Sequence, residues 1–151
     1  MPTHFLRVLR PLALAALVAC GTDPIEPGKV VARPITSGKY ELLAPGESRS
    51  AAWDSYAVRY EAILEIEQDS VDRSQLTGKF SRLDDESSPT VYREGILWGT
   101  IDERGMAIIE LRSQNSQFVW TGRGIFVGTR ISGQWATSND EAGGFTAVLA
   151  K

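Results

Sequence analysis

Histidine and cysteine are nearly absent from this sequence of 151 residues. The single histidine is His4 and the single cysteine is Cys20, so residues 21–151 contain neither. That stretch cannot supply a Ser–His–Asp or Cys–His catalytic unit, nor a zinc or non-haem iron site that includes histidine. An intramolecular disulfide is excluded as well, because it needs two cysteines. We predict a protein that is not an enzyme and has no metal or cofactor, with catalysis by carboxylates alone as the remaining alternative.

Long hydrophobic runs are also missing. The apolar run over residues 11–19 is far shorter than the roughly 20 residues of a transmembrane helix. Arg7 and Arg10 precede this run and small residues end it, which is the pattern of a secretory signal. We predict that residues 1–19 form the helix of an export signal. The alternative is a buried first helix of the folded domain.

The residues that end this run, Leu17, Val18, Ala19 and Cys20, resemble the lipobox of bacterial lipoproteins. The resemblance implies that the Cys20 thiol receives a diacylglycerol and that the signal is cut before it. Since two or three acyl chains anchor a protein durably, the implied partner of Cys20 is the lipid bilayer. Gly21 stands where Asp would be the usual inner-membrane retention signal. The resemblance therefore implies the bacterial cell envelope, and the outer membrane rather than the inner one.

Basic charge is not in excess. The chain has 16 Lys and Arg residues against 19 Asp and Glu residues, and no basic cluster, which argues against nucleic acid as a partner. Glu67, Asp69 and Asp72 match no calcium-loop template, so we interpret them as a solvated hairpin end. Pro24, Pro27 and Pro34 favour extended backbone. They predict a tether over residues 20–38, between the lipidated cysteine and a β domain over residues 39–151.

Period-two alternation is the clearest pattern in the β domain. The apolar members of its longest example are Tyr56, Val58, Tyr60, Ala62, Leu64 and Ile66. A helix over 51–67 is the alternative, but β-branched and aromatic residues on one face favour a strand. Further strands are predicted over 39–43, 75–81, 91–101, 106–111, 117–126, 130–135 and 144–150. The predicted breaks include a turn at Pro45 and Gly46 and loops over 84–89 and 138–143.

A glycine between two large apolar residues recurs in three predicted strands, as Leu76-x-Gly78-x-Phe80, Leu97-x-Gly99-x-Ile101 and Ile131-x-Gly133-x-Trp135. Such glycines allow the sharp bending that a small barrel needs. We therefore predict an all-β fold, an antiparallel up-and-down barrel of about eight strands, with a two-sheet β-sandwich as the alternative.

The strand pattern resembles the calycin-like barrels, the relatives of lipocalins and avidins. It is also similar to small β-barrel lipoproteins that end in Ile-x-Gly-x-Trp, a loop and Gly-Gly-Phe-Thr-Ala, here residues 131–147; most of these have no assigned activity. Lipocalins and avidins carry Gly-x-Trp on the first strand, whereas Gly133-Gln134-Trp135 lies near the end of this chain. The ligand residues of those families are therefore not transferred.

Aromatic side chains are the candidate ligand site. An eight-stranded barrel either holds one small ligand or is filled by its own side chains, so these rings form a pocket at a barrel mouth or the core. The predicted pocket residues are Trp53, Tyr56, Tyr60, Phe80, Trp98, Trp120, Trp135 and Phe145. If Trp120 faces outward, it marks a partner surface instead. The predicted function is binding of a small apolar ligand. The alternative is a structural or protein-interaction lipoprotein with a filled barrel.

Overall fold

The computed structural model describes residues 32–48, 55–85 and 91–151. Eight strands make up this part of the chain, namely β1 (Gly38–Ser48), β2 (Tyr56–Gln68), β3 (Gln75–Asp85), β4 (Val91–Ile101), β5 (Met106–Ser113), β6 (Val119–Val127), β7 (Arg130–Thr137) and β8 (Glu141–Leu149). The predicted signal, the lipobox with Cys20 and tether residues 20–31 lie outside the described residues. Over the described ranges, no helix has the length and apolar character needed to span a membrane.

The eight strands form a closed antiparallel barrel. Each strand pairs with the next along the chain, and β8 pairs back with β1. The β1–β8 ladder extends from Tyr40 opposite Leu149 to Ser48 opposite Glu141. The predicted up-and-down barrel is therefore confirmed and the β-sandwich alternative is wrong, because this last ladder joins what would be two sheet edges. The architecture is consistent with the calycin-like barrels that the strand pattern resembles.

The alternation of side chains explains most strand assignments. In β2, Val58, Tyr60, Ala62, Leu64 and Ile66 are all buried, so the strand prediction for this segment is confirmed over its helical alternative. β4 has the predicted bounds. β8 begins at Glu141, three residues before the predicted start, because residues 141–143 continue the ladder with β1.

The predicted turn at Pro45 and Gly46 is wrong. Both residues lie inside β1, where Pro45 is opposite Arg59 of β2 and Gly46 is opposite Gly143 of β8. A Pro–Gly pair normally marks a turn because proline lacks a backbone donor. Here the absence of side-chain bulk at Gly46 is what the barrel requires, since a Cβ atom there would lie 2.3 Å from the Ala142 carbonyl oxygen.

The three recurrent glycines lie where neighbouring strands approach closely. A Cβ atom on Gly78 would lie 1.8 Å from the Glu65 carbonyl oxygen, and one on Gly133 would lie 2.0 Å from that of Arg123. At Gly99 the corresponding distance to Ile108 O is 2.5 Å. Any side chain at these positions would push the strands apart, so the glycines permit the tight curvature of the barrel.

One end of the barrel is crossed by the chain that leads into β1. We call it the N-terminal end; it comprises residues 32–37 and the turns at 69–74, 102–105 and 128–129. Ala32 is buried there, and Arg33 N–H donates to Asp102 O at 3.0 Å. The Gln68 side chain holds the same segment, accepting from Ile35 N–H at 3.1 Å and donating to Arg33 O at 2.9 Å. Residues 32–37 therefore cover this end of the barrel.

The opposite end, which we call the distal end, carries the turns at 114–118 and 138–140. The β1–β2 and β3–β4 connections also lie at this end because strands alternate in direction, and most of their residues lie outside the described ranges. Buried side chains form one core in the barrel between the two ends. Its largest fully buried members are Trp120, Tyr40, Tyr60, Phe80, Phe126, Leu64, Ile66, Leu76, Leu83, Ile109, Leu111 and Ile131.

Candidate functional site

The predicted pocket residues divide between the interior and the surface. Five of them are buried inside the barrel, namely Tyr60, Phe80, Trp120, Trp135 and Phe145. Trp98 is 50% exposed on the outer face, because its neighbours Leu97 and Gly99 point inward. Tyr56, also 50% exposed, is the first residue of β2 at the distal rim. Trp53 lies outside the described residues.

Three of the buried rings pack against one another inside the barrel. Trp120 stacks on Trp135 with ring centroids 6.2 Å apart, and its other neighbour, Phe145, meets it edge-on at 5.3 Å. Gly122 makes room for both, since a Cβ atom there would lie within 2.6 Å of the Trp120 ring and 3.1 Å of Phe145. These contacts place three bulky rings side by side inside the barrel. Trp120 Nε1 is fully buried and has no hydrogen-bond acceptor.

Trp135 joins this core to the seam between β1 and β8. Its Nε1–H donates to two backbone carbonyls, Pro45 O at 3.1 Å and Gly144 O at 3.0 Å. Its ring also meets Tyr60 edge-on at 5.4 Å. The indole is thus held by both its polar and its apolar parts, as buried tryptophans usually are.

A buried carboxylate lies at the distal end of the barrel. Glu141 is only 5% exposed, and its Oε2 accepts two hydrogen bonds, from Tyr60 OH at 2.6 Å and from Thr137 Oγ1 at 2.7 Å. The three residues come from β2, β7 and β8, so closure of the barrel brings them together. Glu141 was missed from the sequence because residues 138–143 were predicted to form a loop. Its alternation with Phe145 and Ala147, which are both buried, was the available signal.

Aromatic rings adjoin this carboxylate. Phe118 lies 5.8 Å from the Tyr60 ring, and Tyr92 stacks on Phe118 at 3.9 Å between centroids. Phe118 is buried and Tyr92 partly so. The distal end therefore combines a carboxylate, two hydroxyl donors and several ring faces. We call Glu141, Tyr60, Thr137, Phe118 and Tyr92 the distal cluster.

The outer face of β4, β5 and β6 carries a row of exposed apolar side chains. Ile96, Trp98, Ile108 and Ile125, which we call the outer apolar row, are each between 39% and 52% exposed. They lie diagonally across the three strands, because Trp98 is opposite Glu110 and Ile108 is opposite Arg123. Diagonal neighbours on a sheet are within reach of long side chains. The row is bordered by Arg123 and by the ion pair between Arg112 and Glu110.

Grooves on the outer surface have mixed charge. One of about 430 Å³ lies over β3 and β4 and includes Glu65, Lys79 and Glu94. Glu65 pairs there with Lys79 at 3.3 Å and with Lys39 at 3.6 Å. A second groove, of about 270 Å³, lies over β1 and β2 beside Arg82. Within residues 32–48, 55–85 and 91–151, no three acidic, histidine or cysteine side chains are placed to share a metal ion.

Two groups near the N-terminal end, Tyr40 and Asp72, have shifted pKa values. Burial raises the pKa of the Tyr40 phenol, whose OH donates to Thr36 O at 2.6 Å. Hydrogen bonds from Ser74, first from its side chain and then from its backbone, lower the pKa of Asp72. Asp72 and Asp69 thus accept hydrogen bonds within the 69–74 turn.

No known protein-family model matches this chain, and no curated protein sequence resembles it closely enough to be counted as a relative.

Proposed function

We propose that this protein is a lipid-anchored lipoprotein of the bacterial cell envelope whose barrel is a protein-interaction module. The anchor is inferred from Leu17, Val18, Ala19 and Cys20 in the sequence. The interaction is inferred from the barrel, because bulky rings pack together in its interior while other apolar side chains are exposed outside. The observation that carries the proposal is Trp98, a large aromatic side chain that is half exposed although its neighbours in β4, Leu97 and Gly99, are buried.

The filled interior supports an interaction module over a carrier of apolar ligands. A ligand inside the barrel would have to separate Trp120 from Trp135 and Phe145, which lie within 6.2 Å and 5.3 Å of it. Protein interiors resist such changes because they are close-packed. The predicted apolar ligand has its own test, native mass spectrometry of the full chain. A reproducible extra mass that leaves on denaturation would favour it over the interaction module.

The outer apolar row fits a protein partner with an apolar centre and acidic residues at its edge. Tryptophan and arginine are enriched where protein interfaces gain most of their binding energy. Arg123 lies beside Ile108 on this face and forms no ion pair with any described residue. A carboxylate on the partner would complement it.

Site-specific photocrosslinking in intact cells tests the interaction. A photoreactive phenylalanine at Trp98 or at Ile108 is expected to capture the same envelope protein. At Tyr56 it is expected to capture none, which makes Tyr56 a matched control because it is as exposed as Trp98. Ile125→Lys should abolish both cross-links, since it places a charge in the row. Capture that is equal from Tyr56, or unchanged by Ile125→Lys, would contradict the proposal.

The anchor is tested separately with Cys20→Ser. The wild-type protein is expected in the membrane fraction and the variant in the soluble fraction, because the acyl chains are attached to the thiol. If Cys20→Ser remains in the membrane fraction, the lipoprotein inference is wrong. The cross-linking experiment tests the protein interaction independently of the anchor.

A further inference from the structure

Glu141 is a buried carboxylate without a cationic partner. Both of its hydrogen bonds, from Tyr60 and Thr137, reach Oε2, and no Lys or Arg in the described part of the chain forms an ion pair with it. Burying a carboxylate is costly unless it is paired or fully hydrogen-bonded. Two neutral hydroxyl donors on one oxygen offset only part of that cost.

The second oxygen of Glu141 can be reached from solvent. Oε1 accepts no hydrogen bond from the described residues. Trp120 Nε1, by contrast, is the one side-chain nitrogen or oxygen atom in those residues that is fully buried without a partner. Oε1 also has no partner but is not fully buried, so part of its surface is accessible. A ligand that enters at the distal end can therefore bind to it.

The rings of the distal cluster complement a positive charge at this place. The faces of aromatic rings attract cations, most strongly where water is excluded. Tyr60 contacts the carboxylate directly through its OH, and Phe118 and Tyr92 extend the aromatic surface from it. Asp140, the exposed neighbour of Glu141 in the sequence, adds charge of the same sign at the rim.

We propose that the distal end binds a small organic cation, a primary alkylammonium group, through Glu141 Oε1. The ammonium donates to Oε1, and its alkyl chain lies against Phe118 and Tyr92. The Tyr60 and Thr137 hydroxyls hold the carboxylate in place by occupying Oε2. This site is separate from the outer apolar row and does not depend on the proposed interaction or on the lipid anchor.

The test is a titration of the ¹⁵N-labelled full chain with n-butylammonium chloride, followed by nuclear magnetic resonance. The backbone amides of Glu141 and Thr137 are expected to shift and to saturate. n-Butanol, which has the same alkyl chain without the charge, should cause no saturable shift, and sodium chloride controls for ionic strength. Equal shifts with butanol, or no saturable shift with butylammonium, would overturn the proposal.

Glu141→Gln separates binding from structure. The glutamine carbonyl still accepts the hydrogen bonds from Tyr60 and Thr137, whereas the negative charge is lost. We expect the affinity for butylammonium to fall by about ten- to a hundredfold, while the amide spectrum away from the distal end stays unchanged. Undiminished affinity would refute the role of Glu141. If Glu141→Gln does not fold, the comparison of butylammonium with butanol on the wild-type chain shows whether the distal end binds the cation.

Discussion

The indole N–H of Trp135 takes the place of the backbone N–H that Pro45 lacks. The β1–β8 register is interrupted between Leu43, opposite Thr146, and Gly46, opposite Gly143, so Pro45 stands opposite Gly144. Gly144 O can accept no ladder hydrogen bond from a proline, and Trp135 Nε1 donates to it at 3.0 Å. The same N–H lies 3.1 Å from Pro45 O. A side chain from β7 therefore completes the seam that closes the barrel.

Trp135→Phe should destabilise the barrel by about 2–4 kcal/mol, because the substitution leaves Gly144 O unpaired and removes buried ring volume. The free energy of unfolding in urea measures this loss. Pro45→Ala restores a backbone donor, so the double variant Trp135→Phe with Pro45→Ala should recover about 1 kcal/mol of it. Strictly additive effects of the two substitutions would show that the indole does not replace the missing backbone donor.

Gly133→Ala should cost about 3 kcal/mol or prevent folding, because its Cβ atom would lie 2.0 Å from Arg123 O and 2.4 Å from Gly124 Cα. Gly144→Ala is the matched control in the neighbouring strand. Its Cβ atom would meet only Gly133 O, at 3.7 Å, so its stability should change by less than about 1 kcal/mol. Thermal and urea unfolding of both variants check the difference. Similar losses at both positions would mean that close strand approach is not the cause.

Gln68→Glu should loosen residues 32–37 without unfolding the barrel. The Gln68 amide nitrogen donates to Arg33 O and to Arg73 O at 2.9 Å and 2.6 Å, and a carboxylate of the same shape cannot donate to either. We expect faster hydrogen exchange at the Ile35 amide, whose N–H donates to Gln68 Oε1. Exchange at interior positions such as Leu64 should not change. Unchanged exchange at Ile35 would show that other contacts hold the segment.

Stability should fall at alkaline pH in part through Tyr40. Burial raises the pKa of this phenol above its ordinary value of about 10. Below pH 10 the group is protonated in both the folded and the unfolded state. Above pH 10 the phenol ionises in the unfolded state before it does so in the folded state, which favours unfolding. The stability that the protonated Tyr40 contributes is therefore lost as the pH rises through its folded-state pKa.

Tyr40→Phe tests this expectation. At pH 8 the variant should be about 1 kcal/mol less stable than the wild type, because the hydrogen bond to Thr36 O at 2.6 Å is lost. Between pH 10 and pH 11 the difference should shrink, since only the wild type has this titrating group. The urea midpoints of the wild type and of Tyr40→Phe, taken from pH 8 to pH 11, measure this difference in stability. A difference that stays constant with pH would exclude a contribution from Tyr40 ionisation.

The strands could be predicted because their signal is local. Val58, Tyr60, Ala62, Leu64 and Ile66 alternate with polar residues, and that alternation is sufficient to define one buried face. The same rule placed Leu97 and Gly99 inward, and it therefore indicates the outward position of Trp98, although the prediction grouped Trp98 with the pocket by residue type. The turn signal of Pro45 and Gly46 was misleading, because the strand continues through both residues and Trp135, ninety residues away, donates a hydrogen bond to Pro45 O.

Local sequence patterns were sufficient to predict the all-β fold of about eight strands, the lack of histidine and disulfide chemistry after residue 20, and the positions of glycines that bend the strands. These properties depend on composition and on neighbours two residues apart. Contacts between residues that are distant in the chain became known from the folded barrel. Tyr60 reaches Glu141 across 81 residues, because the register of eight ladders and their closure place β2 and β8 on either side of β1. Register and closure depend on all the strands together, so no segment specifies them alone.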